Sequence, residues 1–336
     1  MKKILIIGGT RFLGPELIHD LLIQRKNIEI TVFNRGTNYG NVLPKAVKQI
    51  RGDRRDRATM NVLSEKAYDF IYDLCCFNTN DARNLLSYIK PTAHIIFLST
   101  AAVYKKPNIY PCTEDSELGE WDDFGDYGTQ KADAEKLFSS YVKKHNIKLT
   151  IFRPVYLLGK NNYYDRENYY FSRILNNKPI LIPGSGNALI QFSFLKETAN
   201  AFSIVPFVQK EQEEILNIGG NEYISVKNFV YLCANIVSKK PTIIELESKR
   251  LGLAEEHYNA DIYPFPNSTL LVSNKKISER YQISFELLNA GMKEIYDDWK
   301  KHWDGKTNQY PLELKALRQF DFFDIKYRLK SYFTLF

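Results

Sequence analysis

Three side chains in the first half of the chain have the types and spacing that proton transfer to or from a hydroxyl group requires. Tyr127 and Lys131 are four residues apart, which places both on one helix face, one turn apart. A Lys ammonium at that distance stabilises tyrosinate, so the Tyr becomes a general acid/base. Thr100 ends a predicted strand, and its hydroxyl can converge on the same substrate oxygen. We predict Thr100, Tyr127 and Lys131 as catalytic residues, with Thr100 and Tyr127 also contacting substrate.

The Tyr-x-x-x-Lys spacing alone is not distinctive in a chain with 22 Tyr, because it occurs four times. The matches are Tyr127/Lys131, Tyr156/Lys160, Tyr223/Lys227 and Tyr296/Lys300. Ligands of open α/β sheets bind beyond the carboxyl ends of the strands. The first pair is the one whose helix follows a strand that ends in a hydroxyl residue. Position therefore favours the first pair, and a chance match is the alternative.

A glycine-rich turn joins the first predicted strand to the first helix in the segment KILIIGGTRFLG, residues 3–14. Such a turn brings backbone N–H groups and the helix N-terminus to a pyrophosphate. Gly14 would let the helix pack closely on the strand. A tight turn without a ligand is the alternative. The predicted cofactor-binding residues of this turn are Gly8, Thr10, Arg11, Phe12, Leu13 and Gly14.

The end of the second strand indicates which dinucleotide binds. An NAD site usually has an acidic residue there for the ribose 2′-hydroxyl, whereas an Arg accommodates a 2′-phosphate. Here the residues are Asn34 and Arg35, so we predict NADP in preference to NAD. The alternative is that Arg35 is a solvated loop residue. Asp53 is predicted to accept from the adenine amino group, although it could instead cap a helix, a task that Asp56 would perform better. Leu74, Tyr127 and Lys131 complete the predicted cofactor-binding set.

Strand and helix patterns alternate through the first 154 residues, which is typical of βαβ units and a doubly wound parallel sheet. Apolar runs such as Ile4–Ile7 suit a sheet covered by helices on both faces. The predicted strands are 3–8, 28–34, 47–53, 69–75, 94–100 and 148–154. The predicted helices are 12–25, 57–66, 79–89, 127–145, 196–208, 225–238 and 284–302.

The length of 336 residues exceeds what one hydrophobic core usually supports, so two lobes are expected. We predict an α/β fold in which a Rossmann domain is joined to a smaller α/β substrate lobe. The dinucleotide-binding domain comprises 1–158 and 192–240, and the substrate lobe 159–191 and 241–303. Segment 304–336 is a C-terminal helical extension, with Ile325, Leu329, Phe333 and Phe336 on one face. It is expected to pack on its own chain, with a partner site or a dimer interface as the alternatives.

Composition excludes several classes of protein. Four scattered Cys and five scattered His show no disulfide framework and no zinc spacing, so no metal is predicted. No apolar run approaches the length of a membrane span, and we expect a cytoplasmic protein with no membrane partner. The net charge is +7, and residues 1–60 hold twelve Lys and Arg against five Asp and Glu, which accounts for the whole excess. That distribution favours a phosphate-bearing cofactor over a nucleic-acid partner.

The chain resembles the nucleotide-sugar epimerase/dehydratase group of the extended short-chain dehydrogenases/reductases over about residues 1–303. YPFP at 263–266 and the helix up to Trp303 are similar to an atypical branch, which includes bacterial reductase-like proteins and chloroplast stem-loop RNA-binding proteins. The segments that carry the resemblance are GGTRFLG at 8–14, GDRRD at 52–56, FLSTAAVY at 97–104, YGTQK at 127–131, FRPVYLLG at 152–159, PGSGNALIQFSFLKETA at 183–199 and YPFP at 263–266.

The resemblance implies a small-molecule, sugar-like and plausibly nucleotide-sugar substrate. Tyr127 would then be the acid/base, and Lys131 would bind the nicotinamide ribose. In many epimerases an Arg that binds the nucleotide diphosphate stands where this chain has Ile190-Gln191. Gln191 and Arg166 are therefore expected to contact substrate, with Arg173 as a further candidate for the Arg. The resemblance is also compatible with a homodimer.

Two departures from the family pattern refine the expected reaction. Arg11 replaces the central Gly of the turn, which suits the NADP-like branch. Ala101-Ala102 replaces the Asp-Glu with which dehydratases carry out elimination, so we expect no 4,6-dehydration. The expected function is an NAD(P)-dependent epimerase or reductase. The alternatives are a nucleotide-sensing or RNA-binding protein without turnover, and a scaffold that recruits a partner through its C-terminal extension.

Overall fold

A seven-stranded, wholly parallel sheet forms the centre of the first of two units into which the chain divides. The computed structural model describes residues 1–36, 43–164, 166–246, 262–310 and 313. Unit 1 comprises Met1–Tyr163, Gln191–Tyr223 and Leu270–Gly291, and unit 2 comprises Tyr164–Ile190, Ile224–Thr269 and Met292–Phe336. The predicted helical face at 325–336 lies outside the described residues.

The strands of the large sheet are β1 (Lys2–Ile7), β2 (Ile28–Asn34), β3 (Val47–Arg51), β4 (Phe70–Asp73), β5 (His94–Leu98), β6 (Leu149–Pro154) and β10 (Glu213–Ile218). They lie in the order β3-β2-β1-β4-β5-β6-β10. The helices around it are α1 (Leu13–Gln24), α2 (Arg57–Asn61), α3 (Thr79–Tyr88), α4 (Asp126–His145), α6 (Leu195–Val208) and α8 (Lys275–Tyr281). Short β7 (Tyr156–Leu158) pairs in parallel with β9 (Leu189–Phe194).

Helices cover both faces of the sheet, which confirms the predicted doubly wound Rossmann-type α/β fold. Side chains alternate along β1: Ile4 and Ile6 belong to one buried cluster, and Leu5 and Ile7 to another. The first cluster includes α1 and α6, through residues such as Leu17 and Phe202. The second includes α3 and α4, through residues such as Leu85 and Phe138. β1 therefore buries both of its faces, as its continuous apolar run predicts.

Unit 2 contains α5 (Arg166–Leu175), α7 (Val226–Val237), and a parallel pair of strands, β8 (Pro179–Pro183) and β12 (Thr242–Leu246). β11 (Tyr223–Ser225) and α9 (Leu288–His302) lie across the boundaries between the units along the chain. Inside unit 2, Arg173 donates to Glu313 at 2.8 Å, and Glu313 accepts a second hydrogen bond, from Tyr169, at 2.6 Å. All three side chains are buried, so at least residue 313 of the predicted C-terminal extension belongs to the core of this unit.

The division into units differs from the predicted domains in two long segments, besides residues 159–163 and 191, which belong to unit 1. The α7 segment, predicted in the dinucleotide half, packs in unit 2, where Phe229 stands edge-on to Tyr170 at 5.4 Å between ring centroids. Residues 270–291, predicted in the substrate lobe, belong to unit 1. There Lys276 and Arg280 of α8 form ion pairs with Glu214 of β10, at 2.6 and 2.7 Å. Both differences depend on contacts between residues far apart in sequence.

Candidate active site

Thr100 and Tyr127 lie at the carboxyl end of the large sheet, beside a short turn that follows β5. The Thr100 hydroxyl accepts from the Ala102 N–H at 3.2 Å and caps a single 3₁₀ turn over Ala101–Val103. In the described part of the chain the hydroxyl proton of Thr100 has no acceptor, so it can be donated to a substrate oxygen. α4 begins at Asp126, and Tyr127 is 42% exposed at its first turn.

Gly128 sets the approach of α4 to that turn. A β-carbon at residue 128 would overlap the carbonyl oxygen of Ala102. The helix can therefore start directly against the Thr100 turn because residue 128 has no side chain. Gly128 belongs to the YGTQK segment, so the sequence contained a signal for this close contact. Only the Tyr and the Lys of that segment were predicted from the sequence as site residues.

The Lys131 side chain, on the same helix as Tyr127, is buried and only 2% exposed. Its ammonium donates to the carbonyl oxygen of Leu98 at 2.7 Å and lies over the rings of Phe97 and Phe77, 4.8 and 5.4 Å from their centroids. Burial lowers the pKa of Lys131, while the electrostatic influence of the neighbouring Cys76, Asp73, Cys75 and Glu135 side chains opposes that effect. Two ammonium protons are not used by the Leu98 bond and remain available for a ligand.

A buried ion pair anchors α4 one turn beyond Lys131. Arg153 of β6 makes two hydrogen bonds to the Glu135 carboxylate, at 2.6 and 3.0 Å, and Ser99 donates to the same carboxylate. Arg153 also donates to the Tyr104 hydroxyl at 3.1 Å, and Tyr104 donates to Asn217 of β10 at 2.6 Å. Because Ser99 precedes Thr100, this network fixes the Thr100 strand end and the Tyr127 helix to one another.

The glycine turn has the geometry that a dinucleotide needs. Gly8 has φ of +99°, and a β-carbon on Gly14 would overlap the backbone of Gly9, so α1 can pack directly on the turn. Phe12 precedes α1 without a side-chain cap, and although the Gly14 N–H donates to Arg11 O at 3.0 Å, the uncapped N-terminus of this 12-residue helix favours an anion. Leu74 borders Gly8, and Arg11 is exposed beside the turn. These residues fit a pyrophosphate.

Asn34 supplies an independent sign of a ligand at the end of β2. Its Oδ1 accepts from the Gly36 N–H at 2.7 Å and from Gln49 at 3.0 Å, which fixes the orientation of the amide. Its Nδ2 is buried and has no hydrogen-bond partner in the described structure. A buried unpaired donor is costly unless a ligand accepts from it. Arg35 is exposed beside it. A donor and a cation here suit an anionic acceptor better than a ribose hydroxyl that itself needs an acceptor.

Asp53 remains half-buried in the loop after β3 and accepts from the Arg55 N–H at 2.9 Å. Asp56 caps α2 through the N–H groups of Ala58 and Thr59, so that structural task does not fall on Asp53. Arg54, which sequence reasoning passed over, has a side chain that is 10% exposed and forms a bidentate ion pair with Asp73, at 2.8 and 2.9 Å. A charged residue at the end of an otherwise apolar strand was the available signal for Asp73.

Gln191 and Arg166, two of the predicted substrate residues, lie in different units and make different contacts. The amide of Gln191 is 1% exposed and binds the backbone at Gly220 and Val272, with Nε2 to Gly220 O at 2.6 Å and Val272 N to Oε1 at 2.8 Å. This geometry gives Gln191 a structural task. In unit 2 the Arg166 guanidinium lies over the rings of Tyr164 and Phe265, at 5.0 and 5.7 Å. Arg173 is committed to Glu313 and to Pro179 O.

Among the described residues, no three His, Cys, Asp or Glu side chains form a group that could hold a metal ion. The search for membrane spans over the same residues found no helix that combines the necessary length and apolar character. Tyr127, Lys131, Thr100 and the glycine turn all belong to unit 1.

A family model described as "NAD dependent epimerase/dehydratase family" matches residues 4–219. The chloroplast stem-loop binding protein of 41 kDa b from Arabidopsis thaliana is 27% identical over 95% of this chain and 86% of its own length. The dTDP-D-glucose 4,6-dehydratase of Dictyostelium discoideum is 27% identical over 67% of this chain and 60% of its own length. The crystal structure of a UDP-glucuronic acid 4-epimerase from Bacillus cereus, in complex with UDP-glucuronic acid and NAD, has a TM-score of 0.72 at 21% identity and covers 90% of this chain and 100% of that one.

Proposed function

The chain belongs to the NAD dependent epimerase/dehydratase family, and from that premise we propose that it is an NAD(P)-dependent epimerase or reductase of a sugar-like substrate. The observation that carries the proposal is the juxtaposition, through the close contact of Gly128 with Ala102, of the Thr100 turn and the helix that bears Tyr127 and Lys131. A nucleotide sugar is the substrate class we favour, because the dehydratase and the epimerase described above act on such compounds.

In the proposed mechanism a bound nicotinamide supplies a hydride acceptor and donor. Tyr127 removes the proton of a substrate hydroxyl as the carbon beneath it is oxidised, and returns a proton in the reverse direction. Lys131 stabilises the tyrosinate with its ammonium and offers its remaining N–H groups to the ribose. Thr100 donates its hydroxyl proton to the reacting oxygen, which orients the substrate towards Tyr127.

We propose NADP in preference to NAD. The support comes from the unpaired Nδ2 of Asn34, the exposed cation of Arg35 and the lack of an acidic residue at 34–35. NAD is the cofactor in the Bacillus cereus epimerase structure, so the experiment must include both dinucleotides.

We also propose epimerisation or reduction rather than 4,6-dehydration. Ala101 and Ala102 are buried and carry no group that transfers a proton, so elimination has no acid or base at those positions. A dehydratase is nevertheless among the relatives, and family membership alone does not exclude dehydration.

The proposal is tested by incubating the purified protein with a panel of UDP- and dTDP-sugars in separate reactions that contain NAD, NADP, NADH or NADPH, because reduction of a substrate requires a reduced dinucleotide. NMR and mass spectrometry of the products distinguish the reactions, because epimerisation preserves mass, dehydration removes water and reduction adds two hydrogens. We expect an epimerised or reduced product that the Tyr127→Phe variant does not form. Dehydrated product would contradict the exclusion of elimination. Conversion undiminished in Tyr127→Phe would contradict the assigned acid/base.

RNA binding is the second candidate, and a specific observation favours it. The relative named as a stem-loop binding protein spans 95% of this chain, and the whole positive excess lies in residues 1–60. Phosphate contacts by Lys and Arg make affinity fall linearly with the logarithm of salt concentration. A steep slope for a stem-loop RNA, compared with a basic protein of equal charge, would support this candidate. Equal affinity and slope for the two proteins would remove it.

A further inference from the structure

The Lys131 ammonium is a buried charge without an adjacent counter-ion. It donates to Leu98 O and faces the rings of Phe97 and Phe77. Within the described residues, no carboxylate lies within the 4.0 Å of an ion pair with it. A buried ammonium is stable only if negative charge nearby offsets its lost hydration. That compensation must come from groups slightly farther away.

Four ionisable side chains face this ammonium from the elements packed around it. Cys75 and Cys76 follow β4, but burial raises the pKa of the Cys75 thiol to about 11 and that of Cys76 still further, so both are neutral near pH 7. Glu135, on the same helix as Lys131, is neutralised by its bidentate pair with Arg153. Asp73 of β4 is the fourth group, and its side chain is fully buried.

Asp73 belongs to a buried triad that has one more negative charge than positive. Arg54 binds Asp73 through two hydrogen bonds, at 2.8 and 2.9 Å, and its Nε lies 3.6 Å from Oδ1 of Asp81. One guanidinium thus serves two carboxylates, which leaves a net charge of minus one. The ammonium of Lys131 brings the sum to zero.

Two contacts connect the triad to the aromatic residues that surround Lys131. Asp73 pairs in register with Phe97 across β4 and β5, and the Phe97 ring lies beneath the ammonium. Asp81 accepts from the Phe77 N–H at 2.9 Å, and the Phe77 ring faces the ammonium from the loop after β4. The loop between β4 and α3 therefore joins the triad to the lysine.

We propose that Asp73 and Asp81, which share the single guanidinium of Arg54, supply the negative charge that keeps the buried Lys131 ammonium protonated. They are positioning residues, because they act on Tyr127 through Lys131. The inference deepens the proposed function and rests on it, since it presupposes that Lys131 lowers the pKa of Tyr127.

The inference is tested by measuring the pKa of Tyr127 in the cofactor-free protein. Removal of a nearby negative charge by itself lowers the pKa of a tyrosine, whereas the inference predicts a rise, so the sign of the change distinguishes the two. In Asp81→Asn we expect the pKa of Tyr127 to rise by about one unit, because Lys131 then loses its proton and no longer stabilises tyrosinate. The measurement follows the ring-carbon NMR resonance of isotope-labelled tyrosine, assigned by its loss in Tyr127→Phe.

Matched variants separate charge from structure. Asp81→Asn retains an oxygen that accepts from the Phe77 N–H, and Asp81→Glu should return the pKa of Tyr127 towards its wild-type value. Asp133→Asn removes the same charge from the surface of α4, where Asp133 pairs with Lys136 at 2.9 Å, and should produce no rise. If Asp81→Asn does not fold, as judged by circular dichroism, Asp73→Asn carries the same expectation.

Lys131→Met distinguishes failure of this inference from failure of the proposed function. A rise in the pKa of Tyr127 in Lys131→Met, with no change or a fall in Asp81→Asn, would overturn the inference and leave the Tyr–Lys pair intact. No change in Lys131→Met would overturn both. A rise in Lys131→Met and in Asp81→Asn, reversed by Asp81→Glu, supports the role of the triad.

Discussion

Gly128 lies against the carbonyl group of Ala102 so closely that a β-carbon on residue 128 would overlap the carbonyl oxygen. Gly128→Ala should therefore push the start of α4 away from the Thr100 turn. We expect a loss of about 1–3 kcal/mol in the free energy of unfolding, from overpacking, together with reduced turnover. Denaturant unfolding measures the first effect. Ser140→Ala, on an exposed position of the same helix, should change neither quantity, and equal behaviour of the two variants would contradict the steric account.

Tyr127→Phe should lower kcat by about 10²- to 10⁴-fold, the range of a lost general acid/base, because it removes only the transferable proton. Since Tyr127 is 42% exposed, the unfolding free energy should change by less than about 0.5 kcal/mol. Steady-state kinetics and cofactor titration together check this prediction. Weakened dinucleotide binding with unchanged turnover would reassign Tyr127 to the cofactor.

Arg35→Asp should weaken NADP about 10- to 100-fold, which corresponds to the ~1.5–3 kcal/mol of a lost hydrogen bond to a charged group, and should affect NAD much less. Thermal-shift titration with both dinucleotides provides the measurement. Lys26→Asp is the matched control, because Lys26 is exposed at the opposite end of β2. An equal response of NAD and NADP in Arg35→Asp would show that Arg35 is not the partner of the 2′-phosphate.

His94 should make stability depend on pH. Burial, reinforced by the charge of Lys148, lowers the pKa of His94 to about 3, whereas an unfolded His titrates near 6.5. Between about pH 6.5 and pH 3, His94 is protonated in the unfolded chain but not in the folded protein. The stabilisation from the neutral, buried His94 is therefore complete above about pH 6.5. Below that, the free energy of unfolding falls by ~1.4 kcal/mol per pH unit as the pH decreases towards 3.

His94→Gln should reduce the slope of unfolding free energy against pH in that window, as measured by denaturant unfolding at several pH values. Gln retains a polar group for Thr150, which lies 2.8 Å from the His94 Nε2. His19→Gln, at an exposed position, should leave the slope unchanged. A wild-type slope in His94→Gln would assign the acid sensitivity to other groups.

Local sequence patterns predicted most strands of the large sheet, whereas in unit 2 they predicted α7 but missed α5, β8 and β12. β2 matches its predicted bounds, and β1, β5 and β6 differ from theirs by one or two residues, because their apolar runs are buried on both faces. α5 was missed because its buried residues include Glu167, Ser172 and Arg173, polar side chains that a pattern of apolar residues does not identify as core.

The candidate site likewise combines features that local sequence patterns predict with features that depend on contacts between distant residues. The glycine turn and the Tyr–Lys pair are local patterns, and one element or one turn suffices to recognise them. The triad of Arg54, Asp73 and Asp81 and the backbone bonds of Gln191 depend on contacts across 19 to 81 residues of sequence. Only the folded structure shows that the Gln191 amide is hydrogen-bonded to the backbone of Gly220 and Val272.

The buried partnership of Arg173 and Glu313 constrains where the chain can be shortened for expression. Removal of everything after Asp304 would leave a guanidinium 5% exposed without its carboxylate, and a buried charge that loses its partner costs about 3–5 kcal/mol. Glu313→Gln should reproduce part of that cost in the full-length chain, as measured by denaturant unfolding, whereas Lys306→Gln, at an exposed position, should not. A shortened protein intended for crystallisation should therefore retain residue 313.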